Sequence, residues 1–202
     1  MTTHTYATNS PVHPRLIAFL ALLSAAISVV IGGLAARIQS AWGFSVGGAS
    51  AMTVFGILYF IFEQWLWRVG ILRRLLLVPN LNGNWKCVGK TVKKDGQDAA
   101  LDWEGNIRIT QSWSRISIVL TTAQSSSRSI AASLYNYPGE GYRLIFHYEN
   151  APRADQPALV RHSGLCDLMF SENLDGADGN YFTGKDRLTV GTMHLTKGGK
   201  ET

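Results

Sequence analysis

Two long uncharged stretches near the start of the chain decide the fold: residues 16–36, LIAFLALLSAAISVVIGGLAA, and residues 38–62, IQSAWGFSVGGASAMTVFGILYFIF. They contain 21 and 25 residues and are separated by Arg37. Because an α-helix rises about 1.5 Å per residue, 21 residues reach about 31 Å, the thickness of the hydrocarbon core of a bilayer. We therefore predict a two-helix transmembrane module over residues 16–67, after an N-terminal tail of residues 1–15. The alternative for the first stretch is a cleaved signal peptide, whose apolar region is normally only about 7–15 residues long.

The charged residues that flank these stretches predict their orientation. Arg15 precedes the first stretch, Arg68, Arg73 and Arg74 follow the second, and Arg37 lies between them. Because cationic flanks stay on the cytoplasmic side of a membrane, we predict that both termini are cytoplasmic. Residues 79–202 carry 14 Lys and Arg against 13 Asp and Glu, so the net charge of +5 comes mainly from the membrane module. The basic balance therefore does not indicate binding to DNA or RNA.

Small residues recur at every fourth position of the first stretch, at Ser24, Ser28, Gly32 and Ala36. Such a stripe lets a second helix backbone approach closely. Two interpretations remain open: the two helices of one chain pack as a hairpin, or helices of different protomers pack together.

From residue 81 onward apolar and polar residues alternate, as at Ile116, Ile118 and Leu120, which is typical of β-strands. Turn signals divide this region into predicted strands near residues 84–93, 101–112, 114–123, 127–136, 141–150, 161–173, 179–185 and 187–196. Eight short antiparallel strands favour a closed barrel over a sandwich, because closure removes exposed strand edges. The predicted fold is a membrane α-hairpin plus an all-β domain. Its parts are two transmembrane helices, a juxtamembrane linker of residues 68–80, and an eight-stranded antiparallel up-and-down β-barrel over residues 81–202.

The predicted first strand opens with Gly83, Asn84 and Trp85, which resembles the Gly-x-Trp opening of lipocalin barrels. In those barrels the Trp plugs one end and packs near a basic residue of a late strand. The resemblance implies structural roles for Gly83 and Trp85, with Lys185 or Arg187 near the indole.

Residues suited to catalysis or metal binding form no recognisable constellation. The five His do not have metal-ligand spacing with one another, with Cys or with a carboxylate, and the Gly residues do not form a phosphate-binding loop. Cys87 and Cys166 stand alone, and in a cytosolic domain we expect them to be reduced thiols. We therefore predict a protein that is not an enzyme and needs no cofactor or metal.

Three stretches after the predicted spans carry a family likeness: residues 81–85, residues 109–113 with the Ser-rich residues 125–129, and residues 179–182 leading to Gly191. In this order the chain resembles the SMODS-associated two-transmembrane, β-strand-rich effectors of bacterial cyclic-oligonucleotide-based anti-phage signalling (CBASS). The resemblance implies a barrel that binds a cyclic dinucleotide made by a partner nucleotidyltransferase. It also implies that the protein then forms a homo-oligomer and disrupts the lipid of the bacterial inner membrane, which causes abortive infection.

A cyclic dinucleotide needs aromatic faces for its bases, donors for its phosphates and polar groups for its base edges. The chain offers candidates of all three types. Those for stacking are Trp113, Tyr148 and Tyr181; those for phosphate are Arg115, Arg128, Arg161 and Arg187; those for hydroxyl or base-edge contacts are Ser125, Ser127, Asn150 and His162. For each aromatic residue the barrel core is the competing location, and for each Arg it is the solvated surface.

A membrane-anchored, lipocalin-like carrier of a small apolar ligand is the alternative function. Its cavity would be mainly aliphatic and aromatic. The direction of the Arg and Ser side chains, into the barrel mouth or away from it, distinguishes the two functions.

Overall fold

The structure is a computed structural model that describes residues 3–10, 12–43, 49–94, 97–155, 160–184 and 188–198. In chain order its elements are β1 (His4–Thr8), α1 (Val12–Trp42), α2 (Ala51–Gln64), a 3₁₀ turn (Leu66–Arg68), α3 (Gly70–Leu76), β2 (Gly83–Lys94), β3 (Gln97–Gln111), β4 (Arg115–Thr122), β5 (Ser125–Tyr137), β6 (Gly141–Pro152), β7 (His162–Phe170), β8 (Gly176–Thr183) and β9 (Val190–Lys197). They form two compact units. One is Met1–Asn9 together with Pro79–Thr202, and the other is Ser10–Val78.

The first unit is a closed sheet in which each strand from β2 to β8 pairs antiparallel with the next and β9 pairs antiparallel with β2. These eight strands lie where the alternation predicted them. The described chain has nine strands, however, so the prediction of eight is wrong. The ninth is β1, which lies between β4 and β5 in a part of the chain that was predicted to be a tail. Its five residues, HTYAT, are too few to establish a period of two.

β1 fills a split between two strands that would otherwise be neighbours. It is antiparallel to β4, with Thr5 opposite Arg115, and parallel to β5, with Tyr6 opposite Ala132. Residues 119–121 of β4 pair directly with residues 126–128 of β5. The two strands therefore meet at one end of the barrel and accommodate β1 at the other.

The two ends of the barrel differ. One end, the mouth end, holds the last residues of β2, β4, β6 and β8 and the first residues of β3, β5, β7 and β9. At the opposite end β2 begins, and β1 ends there as well, because β1 runs parallel to β5 and Asn9 bonds to Asn136. We call this the junction end, since both connections to residues 10–78 leave the barrel there.

Trp85 fills the junction end of the barrel. It is fully buried, its Nε1 donates to the Leu81 carbonyl at 3.1 Å, and its ring meets Phe170 edge-on with centroids 5.1 Å apart. The cation over the indole is Lys197, whose Nζ lies 5.3 Å from the ring centroid. The resemblance to lipocalins implied Lys185 or Arg187 near the indole, and both lie outside the described residues. Lys197 lies over the indole because it is the cross-strand partner of Trp85.

Gly83 is the first residue of β2, the strand that carries Trp85. Its φ is +136°, a conformation that strains residues with a Cβ atom. This geometry agrees with a structural role for the residue.

The second unit begins with α1, whose 31 residues reach about 46 Å. Residues 14–42 of α1 are long and apolar enough to cross a membrane, whereas α2 is a shorter apolar helix of 14 residues. The predicted division of the two apolar stretches at Arg37 is wrong, because residues 38–42 continue α1. Arg favours helices, and α1 ends at Gly43, which has φ +73° and donates its N–H to the Gln39 carbonyl at 2.9 Å.

The small-residue stripe divides into two halves. Ser24 is buried, and Ser28 donates its Oγ hydrogen to the Ala49 carbonyl at 2.6 Å, close to the start of α2. Gly32 and Ala36 are exposed, and a Cβ atom on Gly32 would meet nothing within 4 Å. The hairpin interpretation therefore applies to Ser24 and Ser28 but not to Gly32 and Ala36.

Candidate functional site

A cavity of about 440 Å³ occupies the mouth end of the barrel. Its size lies in the range of small-molecule sites, about 300–1,000 Å³. Below it, at the junction end, the barrel is filled by buried side chains such as Ile109, Leu144 and Leu168. The cavity walls include six residues that the sequence analysis proposed as ligand contacts, namely Ser125, Ser127, Tyr148, Asn150, His162 and Tyr181.

An aromatic group on one wall is held by hydrogen bonds. The Tyr181 hydroxyl lies 2.8 Å from Thr91 Oγ1 and accepts the Trp103 indole N–H at 3.1 Å. The two rings meet edge-on, with centroids 5.6 Å apart. Tyr181 is buried, whereas Trp103 is half-buried and lines the cavity. Trp103 therefore presents an oriented indole to a ligand, and the sequence analysis missed it.

Glycines on neighbouring strands make room for these rings. Gly89 is the cross-strand partner of Trp103, and Gly191 is the partner of Tyr181. A Cβ atom on either glycine would overlap the ring opposite it. The signal for Trp103 is therefore a glycine at the cross-strand position opposite an aromatic residue. This signal can be recognised only when the register of the two strands is known.

A polar cluster on another wall joins β5 to β6. The Asn150 Nδ2 donates to the Oγ atoms of both Ser125 and Ser127, each at 2.9 Å. Both amide hydrogens of Asn150 are used in this way. Among the described residues, no hydrogen bond takes up the Ser127 hydroxyl hydrogen or the Asn150 Oδ1, so a ligand can bond to both. The cluster can therefore donate to and accept from the edge of a base.

The described residues that line the cavity include no Lys or Arg. Asp102 and Glu104 border it, but both are exposed and flank the inward-facing Trp103, so their side chains point to the outer face of β3. His162 lies on the rim, where its Nδ1 is 3.1 Å from the Val160 carbonyl oxygen. The described walls are thus suited to bases and sugars more than to phosphates.

Two of the predicted ligand contacts, Trp113 and Arg115, lie far from this cavity. Trp113 is fully buried at the junction end, where its carbonyl accepts the Tyr6 hydroxyl at 2.8 Å. Arg115, at the same end, donates to Thr3 through Nε and Nη2 at 2.8 and 2.6 Å. Both flank the β3–β4 hairpin, which turns at the end opposite the mouth.

The other Arg candidates do not line the cavity in the described part of the chain. Arg128 is exposed, since it lies between the inward-facing Ser127 and Ser129 and successive strand residues point to opposite faces. Arg161 is exposed and precedes β7, and Arg187 lies outside the described residues. A cationic residue type does not reveal which face of a strand it occupies.

Both cysteines are buried free thiols inside the barrel. Burial raises the pKa of Cys87 to about 12, and burial together with the neighbouring Cys87 also raises the pKa of Cys166. The Cys166 Sγ lies 3.8 Å from the Met193 Sδ, and both residues line the cavity. Among the described residues, no three His, Cys, Asp or Glu side chains are grouped to hold a metal ion. These thiols are therefore neutral packing groups.

Comparison with known families assigns both units. Residues 76–197 match the family model of the Cap15 cyclic dinucleotide receptor domain, and residues 14–68 match the model of the Cap15 TM helices. The chain belongs to the Cap15 family. CD-NTase-associated protein 15 of Yersinia aleksiciae is 37% identical over 148 residues, which cover 73% of this chain and 69% of that protein.

The Cap15 assignment confirms the family resemblance drawn from the sequence. The receptor-domain match contains β2 to β9 and with them the cavity walls, and the TM-helix match contains α2 and nearly all of α1. The protein is thus a CBASS-associated member of a receptor family with a membrane-associated segment. β1 precedes both Cap15 matches.

Proposed function

We propose that this Cap15 protein is an anti-phage effector whose barrel cavity binds a cyclic dinucleotide made by a partner nucleotidyltransferase. Ligand binding gathers copies of the chain, and their helices then disrupt the inner membrane. The observation that carries the proposal is the joint presence of an oriented indole and a donor–acceptor cluster in one cavity of the receptor domain.

We propose that different residues of the cavity bind the bases, the base edges and the phosphates of the ligand. Trp103 stacks on one base, and Asn150 with Ser127 bonds to a base edge. At the rim, His162 and the exposed Arg161 are the phosphate partners that we propose. A cyclic dinucleotide suits such a site better than an apolar metabolite, because an apolar ligand would bury the Ser127 hydroxyl hydrogen and the Asn150 Oδ1 without giving either a partner.

The membrane output is proposed from the helices. We propose that α1 and α2 both cross the membrane and that both termini are cytoplasmic, where an internally made messenger reaches the barrel. Gly32 and Ala36 lie on the exposed face of α1, and small exposed residues suit contacts between copies. Once ligand-bound barrels gather, the attached helices are at high effective concentration, so weak helix contacts suffice.

Ligand binding is tested by titration calorimetry of the full chain in lipid nanodiscs against a panel of cyclic dinucleotides. We expect one member to bind. We expect Trp103→Leu to weaken that binding about 10- to 100-fold, the range of base–aromatic stacking, and Asn150→Ala to weaken it about tenfold. Asn180→Ala, on the exposed outer face of β8, is the matched control and should leave the affinity unchanged. No heat with any member of the panel, together with binding of a fluorescent fatty acid, would establish the carrier instead.

The output is tested in bacteria and in vesicles. Expression with the matching nucleotidyltransferase should permeabilise the inner membrane, and vesicles that contain the protein should leak dye only when the bound cyclic dinucleotide is added. A cysteine introduced at the exposed Ser126 reports orientation, because the two natural thiols are buried. Labelling of that cysteine by an impermeant maleimide on intact spheroplasts would place the barrel outside the cytoplasm and refute the proposal.

A further inference from the structure

β1 bonds at its start to a residue close to the cavity, and at its end it leads along the chain into α1. At its first residue, the His4 Nε2 lies 2.8 Å from the Ser129 Oγ, and Ser129 is two residues along β5 from the cavity residue Ser127. The Ser129 Oγ accepts the N–H of Ile118 in β4 at 2.9 Å. Hydrogen bonds of this one side chain therefore link β5 to both β1 and β4. At the other end of β1, three residues separate Thr8 from the start of α1.

The middle of β1 is held by a buried amide. The Tyr6 hydroxyl donates to the Trp113 carbonyl at 2.8 Å and accepts from Gln111 Nε2 at 3.4 Å. The same Nε2 donates to the Pro79 carbonyl at 3.1 Å, and Gln111 Oε1 accepts the Leu81 N–H at 2.8 Å. Pro79 is the first residue after the helical unit. Gln111 therefore bonds to both segments of the barrel through which the chain passes to and from residues 10–78.

The split between β4 and β5 that holds β1 begins close to the cavity. Residues 119–121 and 126–128 form the direct β4–β5 pairing, and below them the strands separate around β1. Leu120 and Ser127, which are partners in this pairing, both line the cavity. A ligand that contacts them therefore touches the residue pairs next to which the strands separate around β1.

We propose that β1 transmits cavity occupancy to the membrane helices, with Tyr6 and Gln111 as positioning residues that hold both connections in register. This inference rests on the proposed function, because it assigns a route between the ligand and the membrane output. It predicts that a variant with a loosened β1 still binds the ligand but no longer disrupts the membrane.

The test is Tyr6→Phe in the full chain, which removes the hydroxyl bonds and keeps the ring. We expect the dissociation constant of the tightest-binding cyclic dinucleotide to change by no more than about twofold, as for independent sites, while dye leakage at saturating ligand falls at least about fivefold, the lower bound of typical coupling. Tyr135→Phe, on the outer face of β5, is the matched control. Ser129→Ala loosens β1 at its other contact and should reproduce the loss.

Each other result overturns the inference. Leakage equal to wild type in both Tyr6→Phe and Ser129→Ala excludes β1 as the route, and leakage without ligand makes β1 a restraint instead of a transmitter. Absence of binding or leakage in the wild-type chain refutes the proposed function itself, so the two failures are distinguishable. Near-UV circular dichroism identifies a variant that has lost its fold.

Discussion

Replacing the buried Gln111 by Met tests the packing of the junction end quantitatively. The substitution keeps the length of the side chain but removes its bonds to the Leu81 N–H, the Pro79 carbonyl and the Tyr6 hydroxyl. Leu81 and Pro79 are buried, and a buried backbone group without a partner costs about 1–3 kcal/mol, so we expect a loss of about 4 kcal/mol. For a unit of this size about 1 kcal/mol lowers the midpoint of thermal unfolding by roughly 3–4 °C, so the midpoint should fall by about 12–16 °C.

The assay is thermal unfolding of the full chain in detergent by near-UV circular dichroism, together with hydrogen exchange of the Leu81 amide. Gln124→Met is the control, because Gln124 is exposed on the β4–β5 hairpin, and it should unfold like wild type. A midpoint within about 2 °C of wild type, with Leu81 still protected from exchange, would refute the reasoning. It would mean that water or a shifted side chain satisfies the two backbone groups.

Three further predictions concern other parts of the barrel. Gly89→Ala should push Trp103 out of place and weaken cyclic dinucleotide binding in calorimetry, whereas Gly184→Ala, which has room for a Cβ atom, should not; equal affinities would contradict the role of Trp103. The raised pKa of Cys87, about 12, means that the folded state binds the thiol proton more tightly than the unfolded state, so this contribution to stability is lost as the pH rises above 9.0. Ellman's reagent at pH 8 should therefore react only after unfolding, and rapid reaction with the native protein would exclude this environment. A chain that starts at Pro79 lacks β1 and should unfold at a lower temperature, with recovery on addition of a peptide of residues 3–9; an unchanged midpoint would show that β1 adds nothing to the barrel.

The strands of the barrel were predictable because each has a local signal. Ile116, Ile118 and Leu120 repeat with a period of two and are bounded by turn residues, and the structure has a strand there. β1 has no such signal. Its partners are β4 and β5, more than 100 residues further along the chain, and only those neighbours make five ordinary residues into a strand.

The sequence predicted the polar wall of the cavity and only part of its aromatic wall, since Tyr148 and Tyr181 were candidates and Trp103 was not. Ser125 and Ser127 share one face of a strand by alternation, and the hairpin brings Asn150 opposite them. The orientation of Trp103 depends on Gly89 in the neighbouring strand, which no local pattern reveals. Trp113 lies away from the cavity, at the junction end, and a residue type suited to stacking does not indicate which end of a barrel it occupies.

The order of the chain explains why the N-terminal strand belongs to the receptor. Residues 10–78 are inserted between β1 and β2, so the membrane unit is joined to the barrel at two points. Within that unit the Ser10 Oγ donates to the Leu76 carbonyl at 2.9 Å, which fixes its two ends beside each other. A domain attached by one flexible linker can turn without moving its anchor, whereas the two attachments of this barrel begin in one buried hydrogen-bond network. We therefore propose that a small change of barrel shape reaches both ends of the helical unit at once, with Gln111 as a residue that contacts both attachments.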